Sequence, residues 1–385
     1  GLSALTSALL NARKLFFAAA WSPALANIVT IGFFCLLPFT KSGDNLSIDT
    51  VQNDQAAIWV LGLGTTLGIV VMAVVQGVAV FRHGMRFTFA PRFAHPAVKK
   101  LVQLSLWTLG YVAANQVALV VIKNLASPGS GGVDAYSKAF VLLQLPHGLL
   151  AVSIATTFVP ELARMFHRGD HQQFSRTMSS GIRLTALLTI PASCGLLVMS
   201  KPIIGLLFQH GNFSAAATEN TARALSGLAI GLAGFSIYLF VLRGFYARND
   251  TRTPFFINIG ENAINIVLAI VLVDRHGVFG LGLAFSIAYL VSALVALLVL
   301  ESTEVDIKLS ELAFNIARIS FAAGAMTCAV WFVIQYIGSD AGLGALTRVI
   351  AGTLIGVTTY VVALSALGEK TMRDYLSSKI TKSSR

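Results

Sequence analysis

Long apolar runs, separated by short polar or Pro/Gly-containing stretches, recur along the whole sequence. A helix needs about 20 predominantly apolar residues to cross the hydrocarbon core of a bilayer. About ten runs reach that length, near residues 21–39, 57–81, 98–122, 135–159, 176–199, 217–242, 254–273, 277–300, 312–337 and 345–367. The pattern therefore predicts an all-α, polytopic membrane protein.

The composition fits that prediction. Of the 385 residues, 55% are apolar and 12% are charged, and the mean hydropathy is +0.74. A soluble domain carries about 25% charged residues, so lipid is the expected surrounding of most of this chain. Cys35, Cys194 and Cys328 each lie alone inside an apolar run and are expected to be small buried hydrophobes. A metal site needs several ligands at short spacing, and we expect none here.

Lys and Arg are concentrated in alternate loops and give the chain a net charge of +11. Because short cytoplasmic loops are enriched in Lys and Arg, this alternation predicts an orientation. We expect the basic stretches inside, including Arg92, Arg164, Arg248 and the tail with Lys379. The intervening loops are poor in Lys and Arg, and they are expected outside with Asp49 and Asp340. The acidic segment Glu301–Glu311 is inside by parity, and carboxylates count little in this rule.

The basic residues also bear on partners. They lie at helix ends beside lipid, so anionic headgroups are the expected partner and nucleic acid is not. The tail 369–385 is interpreted first as a topology anchor and only secondarily as a site for lipids or protein partners.

The motifs of common catalytic and nucleotide-binding sites are absent from the sequence. It contains no Walker A loop, no HExxH, no GxSxG and no paired Cys/His spacing, so neither ATP-driven transport nor enzymatic activity is expected. The glycines recur as small-xxx-small patterns at Gly227, Gly231 and Gly234 and at Gly352 and Gly356, which indicates close helix packing. Pro146, Pro160 and Pro191 interrupt apolar runs and predict kinks that are either static or hinge-like.

One predicted helix carries an unusual polar face. Asn258, Glu261, Asn262 and Asn265 recur at spacings of three and four residues in an otherwise apolar span. An unpaired carboxylate near the bilayer centre costs about 2.5–3.5 kcal/mol, so this face is expected to lie inside the protein. Two partners stay open for Glu261: a cation from a neighbouring helix, or a coupling ion, H⁺ or Na⁺, held with the Asn oxygens.

Three stretches resemble one family of transporters. Residues 136–164, YSKAFVLLQLPHGLLAVSIATTFVPELAR, resemble the eighth helix of the MviN/MurJ family of lipid II flippases, with its kink at Leu145, Pro146 and Gly148 and its exit at Pro160. Residues 207–225, LFQHGNFSAAATENTARAL, resemble an outer loop of that family. Residues 244–254, GFYARNDTRTP, resemble its inner loop between helices ten and eleven. The opening NARKLFFAAAWSPALANI is similar to the link between helices four and five.

The resemblance implies a two-lobed, fourteen-helix fold of the multidrug/oligosaccharidyl-lipid/polysaccharide (MOP) exporter superfamily, here without roughly the first four helices. Residues 1–97 would then be the remainder of the N-terminal lobe, 98–306 the C-terminal lobe, 307–368 two additional helices and 369–385 the basic tail. It implies a bacterial inner-membrane protein with a cytoplasmic C-terminus that flips undecaprenyl-pyrophosphoryl disaccharide-pentapeptide outward by alternating access. The two additional helices are expected to form a groove for the lipid tail, and Pro146, Gly148 and Pro160 are hinge candidates.

The eighth helix departs from the family pattern. Val141 lies where the family often has Arg, and Gln144 where it often has Glu, so Lys138 is the nearest cation. Lys138 and Gln144 are therefore the substrate-binding candidates, and a phosphate contact is expected at Lys138. Two alternatives stay open: an exporter of polysaccharide units or drugs from the same superfamily, and a non-transporting scaffold that recruits cell-wall or division proteins.

Overall fold

A computed structural model describes residues 2–13, 15–41, 48–84, 96–127, 130–303 and 307–368. Every regular element in these ranges is helical, which confirms the predicted all-α class. The chain forms two compact units, Gly1–Phe93 and Ala94–Arg385. The divisions expected at residues 97, 306 and 368 stay predictions. Arg92 and the tail 369–385 with Lys379 lie outside the described residues.

Within its described residues the first unit contains four α-helices, and a buried amide connects three of them. Gln76 of α4 accepts a hydrogen bond from Thr6 of α1 at 2.7 Å and donates one to Ser22 of α2 at 2.7 Å. A buried side-chain amide needs such partners in an apolar environment, so Gln76 connects three helices. The helices are α1 (Leu2–Ala12), α2 (Phe16–Phe34), α3 (Ile48–Gln52) and α4 (Gln55–Arg82).

The described part of the second unit contains eleven α-helices and one π-helical turn at His147–Val152. The α-helices are α5 (Pro96–Leu125), α6 (Gly132–Pro146), α7 (Ser153–His167), α8 (His171–Val198), α9 (Ser200–Phe208), α10 (Ala215–Ala229), α11 (Leu232–Ala247), α12 (Arg252–His276), α13 (Val278–Glu301), α14 (Leu309–Tyr336) and α15 (Gly342–Ala366). Each predicted span has a counterpart within the described residues. Among the described residues nine helices are long and apolar enough to cross a membrane, and there are ten if α10 and α11, which are bent by 47°, count as one span.

Close glycine contacts hold α10 and α11 against α13. A Cβ added at Gly231 would lie 2.5 Å from the Cα of Ser286, and one at Gly227 would lie 2.5 Å from the carbonyl oxygen of Phe279. Ser286 also donates a hydrogen bond to the carbonyl of Gly227 at 2.6 Å. Only residues without side chains allow backbones to approach this closely, so the packing role expected for these glycines is confirmed.

The last two helices pack on each other and on the rest of the second unit. Gly352 faces the Met199 sulphur, and Tyr360 donates a hydrogen bond to the carbonyl of Leu187 in α8 at 2.7 Å. At one end, Lys201 of α9 pairs with Asp340 of the α14–α15 connection at 3.5 Å. These contacts fix α14 and α15 beside α8 and α9.

The expectation of buried cysteines was wrong for two of the three. Cys35 and Cys328 are exposed, and Cys194 is partly buried. An apolar side chain in a membrane span can face lipid at little cost, so an apolar surrounding in sequence does not imply burial in the protein.

Candidate functional site

The polar face of α12 is buried, as expected for charged and amide side chains within a span. Asn258 is 0% exposed, Glu261 1%, and Asn262 and Asn265 6% each. The opposite face carries exposed apolar residues such as Val267 and Val271. Because 3.6 residues make one helical turn, the spacing of three and four residues brings all four polar side chains to the inner face.

Asn115 of α5 completes this polar cluster, which we define as Asn115, Asn258, Glu261, Asn262 and Asn265. The Nδ2 atoms of Asn262 and Asn258 lie 3.3 Å and 3.4 Å from the Oδ1 of Asn115. Sequence reasoning missed Asn115. Its signal was the same one that identified the α12 residues: an amide in the middle of an apolar run.

Glu261 receives an amide hydrogen bond and no ion pair within the described part of the chain. The Nδ2 of Asn258 lies 3.4 Å from its carboxylate. No described Lys, Arg or His pairs with it, so the cation from a neighbouring helix that the sequence left open is not found among these residues. The tyrosines close enough to interact with Glu261 electrostatically are Tyr111, Tyr136, Tyr238 and Tyr289.

One buried oxygen of this cluster, the Oδ1 of Asn265, lacks a hydrogen-bond partner among the described residues. Buried polar atoms are normally paired, so such atoms point to a bound species or a role in function. Carboxylate and amide oxygens are the ligands that hard cations prefer, and a carboxylate also binds a proton. The donor set therefore fits H⁺ or Na⁺ chemically.

The substrate-binding candidates lie elsewhere, on α6. Lys138 forms an ion pair with Asp134 one turn earlier, and its ammonium lies 5.5 Å from the centre of the Phe213 ring. Gln144 and Val141 are exposed on the side of α6 that does not face the core of the second unit. The described contacts of Lys138 include no residue of the polar cluster.

The chain departs from α-helical geometry directly after Pro146. Residues His147–Val152 form a π-helical turn, and α7 follows without a gap. The Nδ1 of His147 lies 2.9 Å from the Ser236 hydroxyl, and no atom lies within 4 Å of the Cβ position of Gly148. π-helical turns are rare and often occur at functional sites. Pro160, by contrast, lies inside α7, which continues past it to His167.

An apolar groove of about 630 Å³ adjoins this break. Leu145, Pro146 and Leu149 form one wall, and the facing walls come from α8, α9, α14 and α15. Met326, Val330, Gly352, Gly356 and Tyr360 are among the residues of the last two helices that line it. The groove presents almost only carbon atoms, so a hydrocarbon chain is the chemistry it can accept.

Comparison with known proteins agrees with this geometry. A family model described as lipid II flippase MurJ matches residues 1–352. A probable lipid II flippase MurJ of Rhizobium meliloti is 30% identical over 94% of this chain and 66% of its own length. One of Vibrio cholerae is 26% identical over 95% of this chain and 68% of its own length. This chain thus spans about two thirds of the length of these relatives.

Solved structures show the same fold. A lipid II flippase MurJ in an inward closed conformation superposes with a TM-score of 0.73 at 23% identity, over 96% of this chain and 72% of that one. A MATE protein in complex with MaL6 gives a TM-score of 0.60 at 14% identity, over 80% and 67% of the two chains.

The chain thus has the all-helical membrane-protein fold of these two solved structures. With the model match over most of its length, the chain belongs to the lipid II flippase MurJ family.

Proposed function

We propose that this chain carries lipid II, a pyrophosphate-linked disaccharide-pentapeptide, from the inner to the outer leaflet by alternating access, for peptidoglycan synthesis. The observation that carries the proposal is the apolar groove between α8, α14 and α15, which adjoins the π-helical turn between α6 and α7. A lipid-linked substrate needs an apolar path for its chain, and a conformational change needs a place where a helix can bend. The family to which the chain belongs supports this reading.

Ion coupling at Glu261 is part of the proposal. The sequence contains no nucleotide-binding motif, so an ion gradient is the natural energy source. The buried carboxylate, the neighbouring amides and the unpaired Oδ1 of Asn265 support H⁺ or Na⁺ as the coupling ion. We place the protein in the bacterial inner membrane with its C-terminus in the cytoplasm, and anionic lipids at the basic helix ends.

Two other functions are distinguished by the same experiment. An exporter of polysaccharide units or drugs shares the superfamily fold. A scaffold for cell-wall or division proteins is favoured by one observation, since the exposed α6 residues Val141 and Gln144 are uncharged where the family often has Arg and Glu.

The test is a flipping assay with purified protein in liposomes that contain lipid II labelled on its peptide. Outward movement exposes the label to an external quencher. Val357→Trp, which narrows the groove, is expected to slow flipping strongly, because Val357 lines the groove on α15. Val362→Trp is the matched control, since Val362 is an equally exposed valine of the same helix outside the groove.

Movement of labelled lipid II by the wild type and Val362→Trp, and not by Val357→Trp, is the expected result. Transport of a polysaccharide unit or a drug in preference to lipid II would favour the exporter. No movement of any of these substrates, with normal recruitment of cell-wall proteins in cells, would favour the scaffold.

A further inference from the structure

Pro191 leaves one backbone carbonyl of α8 without its usual helical partner. In an α-helix the N–H of each residue donates a hydrogen bond to the carbonyl four residues earlier, and proline has no N–H. Pro191 lies inside α8, so the carbonyl of Leu187 receives no hydrogen bond from position 191. An unpaired backbone carbonyl is strongly unfavourable in an apolar surrounding, and this carbonyl therefore needs a donor from another part of the protein.

Tyr360 of α15 supplies that donor. Its hydroxyl donates a hydrogen bond to the carbonyl of Leu187 at 2.7 Å. The side chain of Tyr360 is 9% exposed, and Tyr360, Leu187 and Pro191 all line the apolar groove. A hydrogen bond is stronger in an apolar surrounding, and its loss there leaves two polar atoms unpaired. The bond therefore ties one wall of the groove to another.

The first half of α15 is attached to the protein by other contacts. Arg348 pairs with Asp340 before the helix, and a Cβ added at Gly352 would lie 2.6 Å from the sulphur of Met199. Tyr360 lies eight residues beyond Gly352, about 12 Å further along the helix at 1.5 Å per residue. The helix packs mainly against α14 and α9 and touches α8 at few positions. Tyr360 is thus the point at which the second half of α15 is hydrogen-bonded to α8.

We propose that Tyr360, Leu187 and Pro191 form a latch that fixes α15 against α8 and thereby sets the width of the apolar groove for a polyprenyl chain. The inference rests on the proposed function, in which this groove holds the lipid chain. Tyr360 is a positioning residue in this role. When the latch is closed, the walls formed by α8 and α15 contact the same chain. When it is open, α15 is free to move away, and dispersion contacts weaken steeply with distance.

Binding of undecaprenyl phosphate to the full chain in phosphatidylcholine nanodiscs tests the latch. Tyr360→Phe removes the hydroxyl and keeps the ring. We expect about two- to tenfold weaker binding, which is the effect of one hydrogen bond of ordinary net strength. Tyr336→Phe is the matched control, because it makes the same change at an exposed tyrosine of α14 outside the groove. The control is expected to bind like the wild type, and thermal unfolding shows whether each variant is folded.

A double-mutant cycle with Pro191→Ala separates the latch from simple packing of the tyrosine ring. Alanine restores the N–H at position 191, which donates to the Leu187 carbonyl within α8 and weakens the bond from Tyr360. Tyr360→Phe is therefore expected to reduce the affinity less in the Pro191→Ala background than in the wild type. A packing role of the ring predicts the same reduction in both backgrounds.

The length of the lipid chain provides a second readout. Farnesyl phosphate has the same head group as undecaprenyl phosphate and a shorter chain, so it makes fewer contacts with the walls of the groove. Its affinity is expected to depend less on Tyr360→Phe than that of undecaprenyl phosphate.

Unchanged or tighter binding of undecaprenyl phosphate by Tyr360→Phe would overturn the latch, and so would equal losses in the two backgrounds of the cycle. If Pro191→Ala does not fold, the two chain lengths decide, and an equal loss for both phosphates overturns the proposal. The flipping assay is independent of these measurements. Flipping by the wild type with unaltered binding in Tyr360→Phe refutes only the latch, whereas weaker binding in Tyr360→Phe without flipping by the wild type refutes only the proposed function.

Discussion

Replacement of Glu261 by glutamine removes a buried carboxylate from α12 and keeps almost the same volume and hydrogen-bonding reach. The side chain is 1% exposed, and its described hydrogen-bond partner is the amide of Asn258 at 3.4 Å. Glutamine can accept the same hydrogen bond, and it avoids the cost of about 2.5–3.5 kcal/mol of an ionised carboxylate at this depth. The variant is therefore expected to fold and insert as well as the wild type.

Gradient-driven flipping of lipid II by Glu261→Gln is expected to be impaired instead. If Glu261 carries one elementary charge through each cycle, the membrane potential contributes about 2.3 kcal/mol per 100 mV to that cycle. At 100 mV, loss of this contribution lowers the ratio of lipid II in the two leaflets that the potential can maintain by about fortyfold, since about 1.4 kcal/mol is a factor of ten. Glu261→Gln is thus expected to keep slow, passive flipping and to lose the acceleration by an imposed potential, pH gradient or Na⁺ gradient.

The assay uses proteoliposomes in which the potential, the pH difference and the Na⁺ difference are imposed one at a time. Glu161→Gln is the matched control, because it makes the same chemical change at an exposed carboxylate of α7. The coupling role is refuted if Glu261→Gln responds to all three gradients as the wild type does. The buried polar face would then have a structural role only.

Three other outcomes follow from the geometry. Gly231→Ala is expected to destabilise the protein by about 1–3 kcal/mol, because the added Cβ would lie 2.5 Å from the Cα of Ser286. Gly260→Ala is the control and is expected to be neutral, since the space around Gly260 is open. Thermal unfolding in detergent measures the stability of both variants. Lys138→Gln is expected to slow flipping through loss of a phosphate contact, and normal growth of cells that depend on this variant would reject that contact. A single cysteine at Ser339, beside Asp340, is expected to react with a thiol reagent added outside the cell. A single cysteine at Asn249, beside Arg248, is expected to react only from inside, and labelling of it from outside would contradict the predicted orientation.

The sequence was sufficient for the helices and for one buried face, because hydropathy depends on the local composition of the chain. Each span was found from its apolar run, and the spacing of Asn258, Glu261, Asn262 and Asn265 predicted a shared face. Asn115 was missed because its partners are about 140 residues away in sequence, and only the packing of α5 on α12 brings them together. Pairing between helices depends on which small residues meet, and hydropathy does not contain that information.

The break after Pro146 illustrates the same limit and connects the site to the fold. Proline and glycine in the sequence predicted an irregularity there, but not a π-helical turn, and not that its flanking residues form a wall of the groove. On the core-facing side, Leu143 is fully buried, whereas Gly148 has open space around it. Ala151 within the turn is 3% exposed, so the turn keeps a packed side while Gly148 faces open space. Leu145 and Leu149 lie before and within the turn and both line the groove, so a change in helix geometry there is expected to alter the width of the groove. The hinge role of Pro146 and Gly148 stays a prediction, and its consequence is specific: variants that regularise this turn should change lipid II flipping and leave the polar cluster around Glu261 intact.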